Sequence, residues 1–225
     1  MEPHGLPNEN RLATTMERTS PVGLETIGFS PDALIQRADS LQAKASQIIE
    51  VLGLVRRWSR VGRVAMVGSS QFGLMASTNL DFEIYVERPD IAVGFEVIRA
   101  IAQTPGVRQV LYLNVLDTTD PGLYWRVDYA DSEGTLWDID QWLVPNDHPH
   151  AGVAERLVES MRQALTNETR RIILAIKAAR PELLKCRGID VYKAVLRDGV
   201  KTPDEFARWL SVHPPSLEMI ETWHP

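Results

Sequence analysis

The stretch RVAMVGSSQFGLMASTNLDFEIYV, residues 63–86, decides the fold of this chain. The apolar run Arg63–Val67 ends at Gly68-Ser69-Ser70, which is typical of a buried strand that enters a tight turn. Alternation along Asn79–Val86 predicts a second strand with two chemically different faces. One face carries Phe82, Ile84 and Val86, and the other carries Asp81, Glu83 and Tyr85.

The two carboxylates on that strand predict a cation site. Two like charges a few ångströms apart repel each other, and hard oxygen ligands of this kind are what Mg²⁺ takes, together with water and substrate phosphates. The later segment WDIDQW, residues 137–142, places Asp138 and Asp140 on one face of another predicted strand. A third carboxylate from that strand would complete a site for two ions about 3.5–4 Å apart. By spacing alone, either aspartate could supply it.

The turn between the two strands is suited to phosphate. Gly68 has no Cβ, so backbone N–H groups can approach a phosphate closely, and the hydroxyl of Ser69 can donate to it. A helix that begins near Ser70 would add its N-terminal dipole, so Ser70 joins the expected nucleotide-binding residues. The sequence therefore predicts a triphosphate held between these donors and the metal.

This arrangement resembles the DNA polymerase β-type nucleotidyltransferase superfamily, in particular its small bacterial minimal and antibiotic nucleotidyltransferases. The resemblance covers residues 54–144 and rests on Gly68-Ser69, Asp81-Phe82-Glu83-Ile84 and Asp140. It implies that Asp81 and Glu83 bind two Mg²⁺ ions, with Mn²⁺ as a second suitable ion, and that Asp140 helps to activate the acceptor hydroxyl. It also implies that Gly68 and Ser69 hold the triphosphate. The Trp-x-x-Asp-x-Trp setting favours Asp140 as the third carboxylate, with Asp138 second.

The chain departs from the superfamily pattern at two points. Glu83 stands where Asp is commoner, and its extra methylene shifts the ligand oxygen by about a bond length. Ser70-Gln71-Phe72-Gly73 lacks the basic residue that often follows the Gly-Ser turn. The second departure weakens the expected phosphate contacts and leaves the metal site as it is.

Further phosphate and base contacts are predicted from the second half of the chain. Residues 155–187 contain eight Lys or Arg against four Glu. Lys177 follows an apolar run and is our choice for a direct phosphate contact, although a helix whose cations face water explains the pattern equally well. Arg126 is a second candidate. Tyr192 could stack on a base or pack in the core beside Val195.

The order of predicted elements indicates an α+β fold, with a mixed, twisted sheet of about five strands flanked by helices. Residues 1–30 are expected to form a flexible N-terminal arm, 31–148 the nucleotidyltransferase domain and 149–225 a C-terminal helical region. Helices are predicted at 31–60, 91–103, 151–179, 188–198 and 202–211, and strands at 63–67, 79–86, 107–116, 124–129 and 135–144.

Composition narrows the function classes. The chain has 225 residues and a net charge of −6, which argues against sequence-independent binding of extended nucleic acid. It lacks a long apolar run, so no membrane partner is expected, and its N-terminus lacks the apolar centre of a secretory signal. A single cysteine, Cys186, excludes an internal disulfide. These features predict a cytoplasmic protein. His148-Pro149-His150 is poorly organised as a metal site.

The residues and the resemblance together predict an Mg²⁺-dependent transferase. It would move a nucleoside monophosphate from an NTP, with ATP the expected donor, to a hydroxyl of a small molecule or a protein, with release of pyrophosphate. The alternative is a nucleotidyltransferase-like binding or regulatory protein, such as an antitoxin-type partner, that keeps the fold without turnover. The oligomeric state stays open, and a homodimer is among the states considered.

Overall fold

The computed structural model describes residues 30–179, 186–214 and 223–225. The predicted arm at 1–30 therefore lies almost wholly outside the described residues. The strands are β1 Arg63–Val67, β2 Asn79–Val86, β3 Val107–Asn114, β4 Leu123–Ala130 and β5 Leu136–Pro145. The helices are α1 Pro31–Leu52, α2 Leu54–Trp58, α3 Ile91–Ala102, α4 Val153–Ala164, α5 Asn167–Ala178, α6 Gly188–Tyr192 and α7 Pro203–Val212.

The five strands form one mixed sheet in the order β1-β2-β5-β4-β3. β2 and β5 run parallel, and every other neighbouring pair is antiparallel. The register pairs Asp81 with Asp140 and Glu83 with Trp142, and it places Arg126 of β4 beside Asp140. The α+β architecture predicted from the sequence is confirmed, and the sheet aligns the acidic residues of two strands.

One face of the sheet packs under α1, α2 and α3. Along each strand, its apolar side chains alternate with the side chains of the other face. That other face carries the acidic residues and also a small buried cluster of Ala65, Val67, Tyr85 and Val144. Trp58 of α2 donates from Nε1 to the buried Gln141 Oε1 at 2.7 Å, so the polar group in this core is satisfied. The core includes Ile48, Leu52, Phe82, Ile84, Ile98, Trp125, Val127, Ile139 and Leu143.

A second core joins the helices of the C-terminal part. α1 contributes to both cores, because Leu34 and Ala38 near its start pack on the C-terminal helices, whereas Ile48 and Leu52 near its end pack on the sheet. The second core includes Met161, Ile173, Ile176, Val191 and Phe206. No helix in the described ranges is long and apolar enough to cross a membrane.

The predicted helices are broken at two points. The helix predicted at 31–60 ends at Leu52, because Gly53 takes a left-handed conformation with φ 59° and its N–H caps the carbonyls of Glu50 and Ile49. The helix predicted at 151–179 is divided where Leu165 becomes extended and Thr166 caps α5 by accepting from the Thr169 N–H. Within the segment predicted at 188–198, α6 passes into a π-helical turn, Lys193–Arg197.

Candidate active site

The polar face of the sheet brings Asp81 and Asp140 together. They are directly paired residues on the parallel strands β2 and β5, so both carboxylates rise from the same row of the sheet. Asn79, one pleat earlier on the same face, donates to Asp81 Oδ2 at 3.1 Å. Tyr124 of β4 donates from its hydroxyl to Asp140 Oδ1 at 2.5 Å. Each carboxylate is thereby oriented by a neutral donor.

Burial and the neighbouring charge act on the Asp81 carboxyl in the same direction. Burial is the larger cause and repulsion from Asp140 the second, and together they raise the pKa of Asp81 to about 7. The nearby Lys177 ammonium and the Asn79 hydrogen bond oppose this rise only in part. A carboxylate that is hard to ionise in this position would be stabilised by a cation. The donor set, two adjacent hard oxygens in a partly dry site, fits Mg²⁺.

Gly68 forms the floor beneath Asp81. Its φ is 73° and its ψ is −171°, a backbone conformation that is strongly disfavoured for residues other than glycine. A Cβ on Gly68 would overlap the carboxylate of Asp81. The requirement for glycine in the Gly-Ser turn therefore arises from the close approach of Asp81, in addition to any approach of phosphate.

The helix expected to begin near Ser70 does not form. Only one turn of 3₁₀ helix, Ser69–Gln71, follows Gly68, so this segment has no substantial helix dipole. A cleft opens between the carboxylate face of the sheet and the C-terminal helices. Ser70 is buried and does not line this cleft, because its hydroxyl donates to the Val67 carbonyl at 3.3 Å. Ser69 does line the cleft. Of the two serines, the structure leaves Ser69 as the one placed to meet a ligand.

Asp138 and Arg126 lie on the carboxylate face but outside the cleft. Asp138 pairs with Asn79 and Asp128, one row away from Asp140. The guanidinium of Arg126 donates from Nε to Asp128 Oδ1 at 2.9 Å. Neither Asp138 nor Arg126 is among the cleft-lining residues, whereas Asp140 is, which favours Asp140 as the third carboxylate.

Glu83 follows Asp81 on the same face of the sheet, but its carboxylate is hydrogen-bonded to Tyr85. The Tyr85 hydroxyl donates to Glu83 Oε2 and accepts from the Gly152 N–H at 3.1 Å. Burial raises the pKa of Glu83, and the Tyr85 hydrogen bond opposes this. Among the described residues, no three His, Cys, Asp or Glu side chains form a group that could hold a metal. Glu83 would have to exchange its bond with Tyr85 to join Asp81 and Asp140.

A cleft of about 770 Å³ opens over this face, between the sheet and the C-terminal helices. Its size is within the range of pockets for small molecules and cofactors. The sheet side contributes Gly68, Ser69, Asp81, Glu83 and Asp140, and the helical side contributes Lys177, Arg187 and Tyr192.

Lys177 and Tyr192 form part of the helical wall. Lys177 Nζ donates to the Leu74 carbonyl at 2.6 Å and to the Tyr192 hydroxyl at 3.5 Å. Tyr192 is 5% exposed and packs edge-on against Phe72, with ring centroids 5.6 Å apart. Tyr192 thus has the packing role that the sequence allowed, while its hydroxyl reaches the cleft. Lys177 lines the cleft, and its charge lowers the pKa of Asp81. A contact from Lys177 to phosphate stays a prediction.

The cations of α4 and α5 have a role that sequence reasoning missed. Arg162 donates to the Gln71 carbonyl at 3.0 Å and Arg170 to the Gly73 carbonyl at 3.0 Å. With Lys177 on Leu74, three cations hold consecutive parts of the loop after the Gly-Ser turn. The excess of basic residues was visible in the sequence, but their partners are backbone carbonyls, which leave no signature there.

Comparison with known proteins gives a structural likeness only. No family model matches the chain, and no curated protein matches it. A structure described for the RNA terminal uridylyl transferase activity of Cid1 is 13% identical with a TM-score of 0.50, covering 77% of this chain and 54% of that one. The Cid1 poly(U) polymerase bound to MgATP is 12% identical with a TM-score of 0.45, covering 65% and 46%.

The match with a TM-score of 0.50 shows a likeness of fold, with an α+β architecture shared between this chain and that transferase structure. The chain spans about half the length of the structures that it matches. At this level of identity, no site residue is transferred by the comparison. The first of these structures is described for an RNA terminal uridylyl transferase activity. For this chain, the absence of an extended nucleic acid partner stays a prediction.

Proposed function

We propose that this protein transfers a nucleoside monophosphate from an NTP to the hydroxyl of an acceptor. The observation that carries the proposal is the direct pairing of Asp81 with Asp140 against Gly68, at the base of a cleft with Lys177 on its opposite wall. Two adjacent carboxylates with a nearby ammonium and a glycine turn match what a metal-bound triphosphate needs. The nucleotidyltransferase fold supports the same chemistry.

Each residue has a proposed role. Gly68 and Ser69 lie where backbone and hydroxyl donors can bind the triphosphate, and Lys177 supplies positive charge from the other wall. Asp140, oriented by the Tyr124 hydroxyl, receives the proton of the acceptor hydroxyl. The acceptor oxygen forms a bond to the α-phosphorus, the bond from that phosphorus to the bridging oxygen breaks, and pyrophosphate leaves. Catalysis is mainly positioning and neutralisation of charge.

Mg²⁺ would be held by Asp81 and Asp140, with Glu83 once it leaves Tyr85, and would neutralise the triphosphate when bound. In its absence these residues still fix the geometry, because Asn79 and Tyr124 orient the two aspartates without any ion. ATP remains the expected donor, with the other NTPs to be compared. The proposed division into a catalytic part and a C-terminal helical part puts the cleft where the two parts meet.

The test is calorimetric titration of ATP, GTP, CTP and UTP with Mg²⁺ into the wild type and Asp81→Asn, followed by a pyrophosphate-release assay. We expect metal-dependent binding of at least one NTP to the wild type and a loss of about 100-fold or more in Asp81→Asn, because Asn cannot supply a charged ligand. Asp147→Asn, an exposed residue outside the cleft, is the matched control.

The outcomes separate two functions. Loss of both binding and pyrophosphate release in Asp81→Asn, with the control unchanged, supports the transferase. Failure of every NTP to bind the wild type would overturn it and leave the antitoxin-type binding protein. Among the residues that the structure describes, no contact favours that second function over the first.

A further inference from the structure

Glu83 lies at the boundary between two spaces on the carboxylate face of the sheet. One is the cleft, and the other is a second cavity of about 340 Å³ beside it. Glu83 lines both spaces, whereas Asp81 lines the cleft and Tyr85 lines the second cavity. These two residues flank Glu83 on the same face of β2. The carboxylate of Glu83 therefore has space on two sides, one toward Asp81 and one toward Tyr85.

The carboxylate of Glu83 occupies the side of Tyr85. The Tyr85 hydroxyl donates to Glu83 Oε2 and accepts from the Gly152 N–H at 3.1 Å. A hydrogen bond to an ionised carboxylate is stronger than one between neutral groups. A hydroxyl that donates to a charge is also polarised into a better acceptor. The bond to Glu83 therefore strengthens the bond from Gly152.

The ring of Tyr85 is held in place from several directions. Tyr85 is 3% exposed and belongs to the small buried cluster on this face of the sheet. The guanidinium of Arg63 lies over the ring, with Cζ 4.2 Å from the ring centroid, and also pairs with Glu155 in the first turn of α4. Because the ring is packed in this way, Glu83 is the partner that moves when the hydrogen bond between them breaks.

We propose that Tyr85 is a positioning residue of the metal site, whose hydroxyl holds Glu83 away from Asp81 and Asp140 until a metal ion binds. The inference rests on the proposed function, in which Glu83 completes the metal ligands. A site that is competent in only a fraction of the molecules has its apparent affinity reduced by that fraction. Removal of the Tyr85 hydroxyl should therefore tighten metal binding, whereas the loss of a purely structural contact would leave it unchanged or weaken it.

This role gives a physical reason for glutamate at position 83, where the superfamily more often has aspartate. The additional methylene lets the carboxylate reach either the hydroxyl one pleat further along β2 or the space beside Asp81. An aspartate carboxylate would lie about a bond length closer to the strand. The length of the glutamate side chain is what allows two alternative partners.

The same hydrogen bonds connect the metal site to α4. When Glu83 leaves, the Tyr85 hydroxyl loses its charged acceptor, so it accepts less strongly from the N–H of Gly152, the N-cap residue of α4. Leu157 and Val158 of α4 line the cleft. Binding of a metal ion is therefore transmitted to the start of a helix that forms part of the opposite wall.

The experiment is a ¹H–¹⁵N titration of the full chain with Mg²⁺ alone at pH 8, with the amides of Asp81 and Asp140 reporting the Kd. We expect Tyr85→Phe to bind Mg²⁺ about tenfold more tightly than the wild type, since a hydrogen bond to a charged group no longer has to be broken. Tyr112→Phe is the matched control. The Tyr112 hydroxyl is buried under the other face of the sheet and has no hydrogen-bond partner among the described residues. Its removal should leave the Kd unchanged.

The amide of Gly152 provides a second readout. In the wild type it should shift in step with the Asp81 amide, and in Tyr85→Phe it should stay in place as Mg²⁺ is added. Unchanged or weaker Mg²⁺ binding in Tyr85→Phe would overturn the proposal, as would the absence of Mg²⁺ binding in all three proteins.

The wild type alone decides the question if Tyr85→Phe does not fold. A Gly152 amide that follows Mg²⁺ saturation supports the proposal, and one that stays in place while the Asp81 amide shifts overturns it. Because the titration contains no nucleotide, its failure is distinct from a failure of NTP to bind, which tests the transferase itself.

Discussion

Gly68 is the residue on which the geometry of the site depends most directly. It combines a positive φ with a carboxylate lying against its Cα, so Gly68→Ala introduces both backbone strain and an overlap with Asp81. Gly134 also has a positive φ, of 81°, but a Cβ there would meet nothing within 4 Å. Gly134→Ala therefore introduces the backbone strain alone and is the matched control.

We expect Gly68→Ala to lower the free energy of unfolding by about 3 kcal/mol or more and Gly134→Ala by about 1 kcal/mol, since positive-φ strain contributes roughly 1–3 kcal/mol. Urea unfolding of both variants checks the values. Gly68→Ala should also lose Mg·NTP binding, because Asp81 is displaced. Equal destabilisation by the two substitutions would mean that the Asp81 carboxylate moves aside without penalty.

The Asp81 carboxyl makes stability depend on pH. Its pKa is about 7 in the folded protein against an ordinary 3.8, so the folded state binds the additional proton between these values. The contribution of the protonated Asp81 carboxyl to the free energy of unfolding is fully present below about pH 4 and is lost as pH rises through about 7. The difference between the two pKa values corresponds to at most about 4 kcal/mol.

Asp81→Asn isolates this effect, because Asn resembles the protonated acid and does not titrate. Unfolding should be measured for both proteins between pH 4 and 8.5 in a chelator. We expect the free energy of unfolding of Asp81→Asn to exceed that of the wild type by a few kcal/mol at pH 8. At pH 4 the two proteins should differ little. A constant difference over the whole range would show that Asp81 ionises without a penalty.

At the level of single residues, alternation in β2 was sufficient to place Asp81, Glu83 and Tyr85 on one face. It could not show that Tyr85 binds Glu83, since that depends on side-chain rotamers and on the Gly152 N–H, which reaches the same hydroxyl from a distant loop. The orientation of Asp140 by Tyr124 likewise depends on strand order. Spacing identifies which residues share a face and leaves their partners open.

At the level of elements, α4 and α5 hold the loop that follows the Gly-Ser turn. Arg170 binds the Gly73 carbonyl and also Asp39 of α1, with its side chain 22% exposed. Its neighbour Arg171 binds only the exposed Asp32, at 3.3 Å, among the contacts of the described residues. The two arginines therefore test whether the contact to the loop, rather than the charge of the helix, matters.

We expect Arg170→Met to lower the free energy of unfolding by about 1–3 kcal/mol and to weaken Mg·NTP binding, because the loop that positions Gly68 and Ser69 loses a charged donor. Arg171→Met should change stability by less than about 0.5 kcal/mol, as is usual for an exposed ion pair. Thermal unfolding and nucleotide titration of both variants check this. Similar effects of the two substitutions would contradict a specific role for the loop contact.

Strands were predictable element by element, whereas helix interruptions were only partly so. All five predicted strands form, because period-two patterns and turn residues are local signals. Gly53 was a visible helix terminator within the segment predicted as one helix. The break at Leu165 and Thr166 coincides with an N-cap, in which Thr166 accepts from the Thr169 N–H, and the helical pattern over 151–179 did not separate the two helices.

For the whole molecule, the cleft exists because two cores are joined through α1. The sheet core carries the carboxylates, and the helical core carries Lys177 and Tyr192 on the opposite wall. The sequence predicted both parts and named residues from each, but no local pattern specifies how they face each other. The relative position of the two parts follows from α1, whose two ends pack in different cores.

The net charge of the whole chain predicts how strongly it binds RNA. The net charge is −6, and Arg162 and Arg170 are engaged with backbone carbonyls. Nonspecific affinity for nucleic acid rests on cations free to contact phosphates, so we expect oligo(U) to bind with a Kd weaker than about 10⁻⁴ M at physiological salt. Fluorescence anisotropy with labelled oligo(U), with and without Mg²⁺ and UTP, measures it. Binding in the low micromolar range that weakens steeply with salt would contradict this expectation, because it would require a local basic surface that outweighs the acidic net charge.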